Sequence, residues 1–151
     1  MTLCLLRKHD KLLLGMKKQG FGSGKYNGFG GKVEMGETVE EAAKREVVEE
    51  VGITVHSFSK TAELNFHFPH KPEWNCLVHV FLTEDWTGEP VESNEMRPEW
   101  FAINSLPYAQ QWADDAYWMP PVLEGKFVNG TFVFNEAGDV EKCELTFPKK
   151  I

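Results

Sequence analysis

At 151 residues with 42% hydrophobic and 26% charged side chains, the chain has the length and make-up of a single folded domain, 1–151, with a proper core. A formal charge of −7 excludes a basic surface for duplex nucleic acid but not an anionic small substrate, whose charge a metal ion and a few local lysines can carry. No apolar run is long enough to span a membrane, there is no signal peptide, and Cys4, Cys76 and Cys143 have neither zinc-site nor disulfide spacing, so a cytoplasmic protein without a membrane partner is expected.

Thr2 to Leu6 and Lys11 to Met16 are short apolar segments around Arg7-Lys8-His9-Asp10, which predicts a hairpin. The chain starts almost inside its first strand, leaving little to cover that edge. A monomer is expected, and the bare edge is where a second copy could pair. Lys17 to Gly31 is rich in Gly, Lys and aromatic residues, including Phe21, Tyr26 and Phe29. Such a stretch reads as a surface loop or a pocket wall; its place before the next element favours the wall, with glycines for close backbone approach and aromatic faces for stacking.

Thr38 and Glu41 have capping-box spacing, and Val39, Ala43, Val47 and Val51 recur every four residues, so a helix begins after Thr38 and ends at Gly52. Glu46, Glu49 and Glu50 share one face of it. Like charges that close repel unless something offsets them. Clustered carboxylate oxygens are the ligands that Mg²⁺ takes, although glutamate runs on helices are also ordinary solvated faces.

Thr54 to Phe58 and Ala62 to Phe68 have strand character, with Phe66 and Phe68 on one side as core or as pocket lining. Pro69 to Trp74 breaks the pattern, and Cys76 to Thr83 resumes it. His79 has no ligand-spaced partner and reads as structural. Gly88-Glu89-Pro90 marks a turn, Glu92 to Pro98 a polar loop, and Leu106 to Trp118 a partly helical stretch, with Pro120-Pro121 in a short helix or at its edge. Asp114-Asp115 is either a helix cap with a favourable first-turn charge, or a partly buried acid pair between Trp112 and Trp118. Phe127 to Phe134 and Lys142 to Phe147 predict a closing hairpin. No internal repeat, linker or run of βα units is present. The expected class is α+β, an α/β/α sandwich with a mixed sheet.

The stretch Gly31, Glu37, Arg45, Glu46, Val47, Glu49, Glu50, Gly52, Ile53 resembles the Nudix hydrolase signature without a departure. At a given start, ordinary residue usage yields such a match with a chance on the order of 10⁻⁸ or less. With GMKKQGFGSGKYNGFGGKV, VESNEMRP and QWADDAYW, nearly the whole chain is similar to the MutT-homologue branch, which hydrolyses oxidised purine nucleoside triphosphates. That resemblance implies the Nudix fold, a mixed sheet between helices, and Mg²⁺-dependent (or Mn²⁺-dependent) release of pyrophosphate from a purine nucleoside triphosphate to leave the monophosphate.

By position, the resemblance makes Glu46, Glu49, Glu50, Glu95 and the Gly30 carbonyl metal ligands, and Arg45 the residue that orients the glutamates. Either Glu50 or Glu95 is the general base. Lys17, Gly31 and Lys32 fall on the phosphate side, and Thr2, Asn27, Phe29, Phe66, Met96, Trp112, Ala113, Asp114 and Asp115 in the base pocket, with Trp112 stacking on the purine. Tyr26, Ala113, Asn75-Cys76 and a longer Pro69–Trp74 loop depart from the relatives, and they touch pocket shape more than chemistry. Rival readings are another nucleoside diphosphate-X substrate (a methylated purine triphosphate, ADP-ribose or a sugar nucleotide), a non-catalytic nucleotide-binding module, and a protein-interaction domain.

Overall fold

Alternation in the first two strands decides the architecture. In β1 (Thr2–Lys8), Leu3 and Leu5 point to one side and Cys4 and Leu6 to the other; in β2 (Lys11–Lys17), Leu12 and Leu14 oppose Leu13. Strands apolar on both faces need cover on both. A computed structural model of the chain describes residues 1–20 and 22–149 and supplies that cover; Phe21 of the glycine-rich loop lies outside the described residues, as do residues 150 and 151. Cys4, Leu6, Leu13 and Phe29 pack under helix α1 (Val39–Val51), against Ala43, Val47 and Val51. Leu5, Leu12, Leu14, Leu64, Val80 and Phe132 pack under helix α2 (Asp115–Leu123), against Trp118, Met119 and Val122.

The sheet between these layers is mixed. The remaining strands are β3 (Tyr26–Asn27), β4 (Thr54–His67), β5 (Cys76–Thr87), β6 (Met96–Ala102), β7 (Val128–Phe134) and β8 (Val140–Thr146). The order is β3-β2-β1-β5-β4-β7-β8, with β6 also paired to β2. The pairs β1–β5 and β4–β7 are parallel, the others antiparallel. This is the α+β class with a mixed sheet between helices.

β1 is not an edge strand, contrary to what its place at the start of the chain suggests. It forms the expected hairpin with β2 through Leu6↔Leu13 and Lys8↔Lys11, and its other side is filled by β5 from Thr2↔His79 to Leu6↔Thr83. Phe29 closes the gap where β1 and β2 diverge, exchanging two backbone bonds with Cys4 at 2.6 and 3.0 Å. The partner strand comes from far along the sequence, where no local pattern could announce it. No second copy can pair at that edge.

Three other elements differ in detail. The segments 54–58 and 62–68 are one long strand, β4, interrupted by bulges between Val55 and Ala62 that keep it paired to β5. The polar loop ends at Glu95: Met96, Arg97 and Pro98 already belong to β6, whose only strand partner among the described residues is β2, so Pro98 occupies an edge where a missing N–H costs little. Pro120 and Pro121 lie inside α2. The carbonyls they leave unpaired belong to Ala116 and Tyr117, which are exposed and can bond water.

The ends of α1 follow the sequence. Thr38 Oγ1 accepts from the Glu41 N–H at 3.1 Å, and Glu41 Oε1 accepts from the Thr38 N–H at 3.2 Å. Gly52 caps the other end at φ 72°, donating its N–H to the Val48 carbonyl. Burying Val47 and Val51 contributes roughly 1.5–3 kcal/mol each, enough to hold the glutamate face in place against its own repulsion. The closing hairpin forms between β7 and β8, with Asn135 Oδ1 accepting from the N–H groups of Ala137 and Asp139.

Candidate active site

The loop from β3 into α1 brings backbone against carboxylate. Glu50, on the inner side of the glutamate face, is only 6% exposed, and its Oε1 accepts from the Gly30 N–H at 2.9 Å. A Cβ on Gly30 would overlap the Thr2 carbonyl oxygen, and one on Gly31 would lie 2.7 Å from Glu46 Oε1. Only glycines let the chain pass between β1 and the glutamates this closely.

Arg45 organises the rest of that face. Its Nε and Nη2 donate to both oxygens of Glu37, at 2.7 and 3.0 Å, in a two-pronged pair. Nη1 donates to Glu46 Oε1 at 2.8 Å and to Glu49 Oε2 at 3.1 Å, while Nη2 also reaches the Lys32 carbonyl at 3.0 Å. One guanidinium therefore ties the loop, Glu46 and Glu49 together. These bonds hold the Arg45 pKa above its ordinary range and the Glu37 carboxyl below its own.

Burial pushes the Glu50 carboxyl up to about 8; the charges of Glu46 and Glu95 add to the rise, while the Gly30 N–H and Lys17 oppose it. The Glu46 carboxyl is also raised, by burial first, against the pull of Arg45. Glu46, Glu50 and Glu95 thus feel one another electrostatically although Glu95 comes from the loop before β6. Among the described residues no three His, Cys, Asp or Glu side chains converge on one point. The donor set is nonetheless all hard oxygen, with excess negative charge that a divalent cation would relieve, so the residues fit such an ion.

The second group lies on the α2 side. Asp114 and Asp115 are 3% and 6% exposed. Asp114 stands at the start of α2, yet its side chain makes no capping bond; its Oδ2 instead accepts from Trp118 Nε1 at 2.8 Å. Asp115 Oδ2 accepts from Gln111 Nε2 at 2.8 Å. Burial raises both carboxyls, and the charge of Asp114 lifts Asp115 further. Of the two possibilities in the sequence, the buried pair is realised. Phe66 lies half-buried on this side, 5.8 Å from Phe132 and 5.6 Å from Phe134, and its β5 neighbour is Cys76. Trp112 lies under the glycine-rich loop, which forms a wall: a Cβ on Gly22 would come within 2.9 Å of its ring, and Lys25 Nζ lies 5.4 Å from its centroid.

Two residues assigned to the base pocket are buried in the core. Phe29 is fully buried and Met96 nearly so, both in the core under α1. Their side-chain parity is fixed by pairing, Phe29 through Cys4 and Met96 through Lys17, which sequence adjacency to pocket residues does not reveal. Thr2 is buried with Oγ1 3.4 Å from the Gly31 backbone; Asn27 donates from Nδ2 to the Lys25 carbonyl at 3.2 Å; Lys17 is half-buried, Lys32 exposed and Ala113 half-buried. Sequence reasoning gave no role to Glu37, Gln111 or Trp118. The last two were detectable, because Gln111–Asp115 and Asp114–Trp118 are both at i, i+4. His79 lies opposite Thr2 in the sheet, 3.8 Å from Glu63.

A NUDIX domain model matches residues 1–122. The chain is 49% identical over 134 residues to an oxidized purine nucleoside triphosphate hydrolase of Danio rerio, covering 89% of this chain and 85% of that one. It is 47% identical over 144 residues to the protein of the same name from Mus musculus, covering 95% and 92%. Its fold is similar to that of the MutT protein from Bacillus halodurans, with a TM-score of 0.85, 27% identity and 95% of each chain covered. With its intact glutamate helix braced by Arg45 against two obligatory glycines, the chain belongs to the Nudix hydrolase family.

Proposed function

We propose that this chain is a Mg²⁺-dependent pyrophosphohydrolase that converts oxidised purine nucleoside triphosphates, such as 8-oxo-dGTP and 2-oxo-dATP, to the monophosphate and pyrophosphate. It would thereby keep oxidised purines out of DNA. The reading rests on one coexistence: a glutamate face set against glycine backbone, and a buried acid pair beside Trp112, in a chain whose relatives carry the name oxidized purine nucleoside triphosphate hydrolase.

Nudix hydrolases generally use divalent metal ions. Glu46, Glu49, Glu50, Glu95 and the Gly30 carbonyl would hold Mg²⁺, which, when bound, neutralises triphosphate charge and makes a coordinated water more acidic. Arg45 keeps Glu46 and Glu49 in position through its bonds to both. Glu50 or Glu95 takes the proton of the attacking water. Lys17 and Lys32 offset phosphate charge. Trp112 and Phe66 offer aromatic faces to the base.

Asp114 and Asp115 set the choice of base. A protonated carboxyl donates a hydrogen bond, and an ionised one only accepts. With burial favouring the neutral form of both carboxyls, the pair can share one proton, and moving it between them presents two donor–acceptor patterns to the purine edge. That accounts for acceptance of both oxidised guanine and oxidised adenine.

The working form is a monomer, 1–151 acting as one domain in the cytoplasm. Free Cys4, Cys76 and Cys143 suit a reducing compartment, and among the described residues no helix is long and apolar enough to cross a membrane. Glu49→Gln and Glu50→Gln should each remove most turnover of 8-oxo-dGTP while the protein stays folded. Near-wild-type rates in either variant would overturn the metal assignment.

A further inference from the structure

A groove of about 460 Å³ opens beside Trp112, between the loop after β4, the segment before α2 and the β7–β8 turn. It lies within the size range of small-ligand sites. None of Glu46, Glu49, Glu50 and Glu95 lines it, nor do Asp114 and Asp115. One wall carries Phe68, His70 and Trp74, the other Tyr108 and Trp112. Phe68 is fixed by stacking on Phe134 at 4.9 Å, and Trp74 stands edge-on to Phe68 at 5.7 Å. Trp74 remains 36% exposed, a large aromatic surface held at the rim by a single 3₁₀ turn, Pro72–Trp74.

A lysine ammonium lies near each of these two tryptophan rings. Lys25 Nζ lies 5.4 Å from the Trp112 centroid and Lys71 Nζ 4.3 Å from that of Trp74. Aromatic faces for bases, with cations beside them for the backbone, are how single-stranded nucleic acid is held without sequence choice. Glu136 and Asp139 on the turn add acceptors suited to sugar hydroxyls. The net charge of −7 argues against a long strand and limits the occupant to one extra unit.

We infer that this groove receives a second nucleoside, joined to the substrate nucleotide through its ribose, so that the site accepts the 5′-triphosphate end of a short single strand as well as a free nucleotide. The direction of attachment follows from the lining. A nucleoside linked through the phosphates would lie by the glutamates, whereas this groove shares only Trp112 and Ala113 with the proposed base site. The inference rests on the hydrolase reading above. The reaction balances without a further reactant: one water adds, its oxygen bonds to phosphorus, the α–β bridge bond breaks, and pyrophosphate leaves. The dinucleotide 5′-monophosphate remains and the released proton goes to solvent.

The test separates binding from turnover. Calorimetry on the whole chain compares 8-oxo-dGMP with the dinucleotide that carries one adenosine on its 3′ oxygen, and pyrophosphate release compares the two triphosphates. One stacked base should tighten dinucleotide binding by roughly 5- to 100-fold. Trp74→Ala should abolish that gain while leaving 8-oxo-dGMP affinity unchanged. Equal or weaker binding of the dinucleotide by the wild-type chain overturns the inference, as does a gain that survives Trp74→Ala. Turnover of the mononucleotide alone also overturns it and leaves the hydrolase reading standing. Tighter dinucleotide binding with turnover of neither triphosphate supports the groove and refutes the hydrolase reading instead.

Discussion

Glu50→Gln should stabilise the metal-free protein at alkaline pH while removing its activity. The carboxyl of Glu50 is held up to about 8 in the folded chain, against 4.5 for the ordinary group. Between those values the folded state keeps a proton that the unfolded state has released, so wild-type stability falls as pH rises. The loss is absent below pH 4.5 and complete above about 8. At about 1.4 kcal/mol per unit, it is at most about 5 kcal/mol. Glutamine is close to isosteric, keeps an oxygen for the Gly30 N–H and carries no charge. The stability difference between variant and wild type should therefore be near zero at pH 4.5 and grow up to pH 8. Even half the upper bound would raise the Tm by roughly 5–10 °C at pH 8 in a chain of this size. Urea unfolding of both proteins in chelator at pH 5, 6, 7 and 8 measures the difference directly, and titrating groups remote from Glu50 cancel. Parallel pH profiles, or a variant less stable at pH 8, would refute the reasoning. Addition of Mg²⁺ should stabilise the wild type at pH 8 far more than the variant, because it binds the folded state alone.

Arg45→Lys keeps the charge but cannot grip Glu37 with two prongs while reaching Glu46 and Glu49; kcat for 8-oxo-dGTP should fall roughly 10- to 100-fold with little change in KM. Gly30→Ala drives a methyl group into the Thr2 carbonyl, so thermal unfolding should show a loss of about 1–3 kcal/mol, together with lost activity. Asp114→Asn and Asp115→Asn should change the ratio of kcat/KM for 8-oxo-dGTP and 2-oxo-dATP, and unchanged ratios in both variants would remove the proton-sharing account.

What the sequence disclosed and what it hid follow from the range of the interactions. Helix α1 was legible from end to end, because the Thr38 box, the four-residue apolar repeat and Gly52 are all local signals. The glutamate face came with it. Arg45 could be placed as a partner of the glutamates, but its grip on Glu37 depends on a loop that folds back over the helix, and no spacing encodes that. The buried pair Asp114–Asp115 was only one of two readings, because burial there depends on Trp118 and Gln111 folding in beside it. The burial of Phe29 and Met96 under α1 was not legible, because the side a residue takes is set by pairing between distant strands. The same distance hid the parallel partner of β1, and bulges kept β4 in one piece where its apolar pattern lapses.

The most direct test is pyrophosphate release with Mg²⁺ at low substrate concentration, across 8-oxo-dGTP, 2-oxo-dATP, O6-methyl-dGTP, dGTP, dATP and ADP-ribose. Oxidised-purine hydrolysis predicts one pyrophosphate per nucleotide, with kcat/KM for 8-oxo-dGTP and 2-oxo-dATP at least ~10-fold above those for dGTP and dATP, a ratio that a single well-placed hydrogen bond supplies. Turnover confined to ADP-ribose or O6-methyl-dGTP, or equal rates on dGTP and 8-oxo-dGTP, would contradict it.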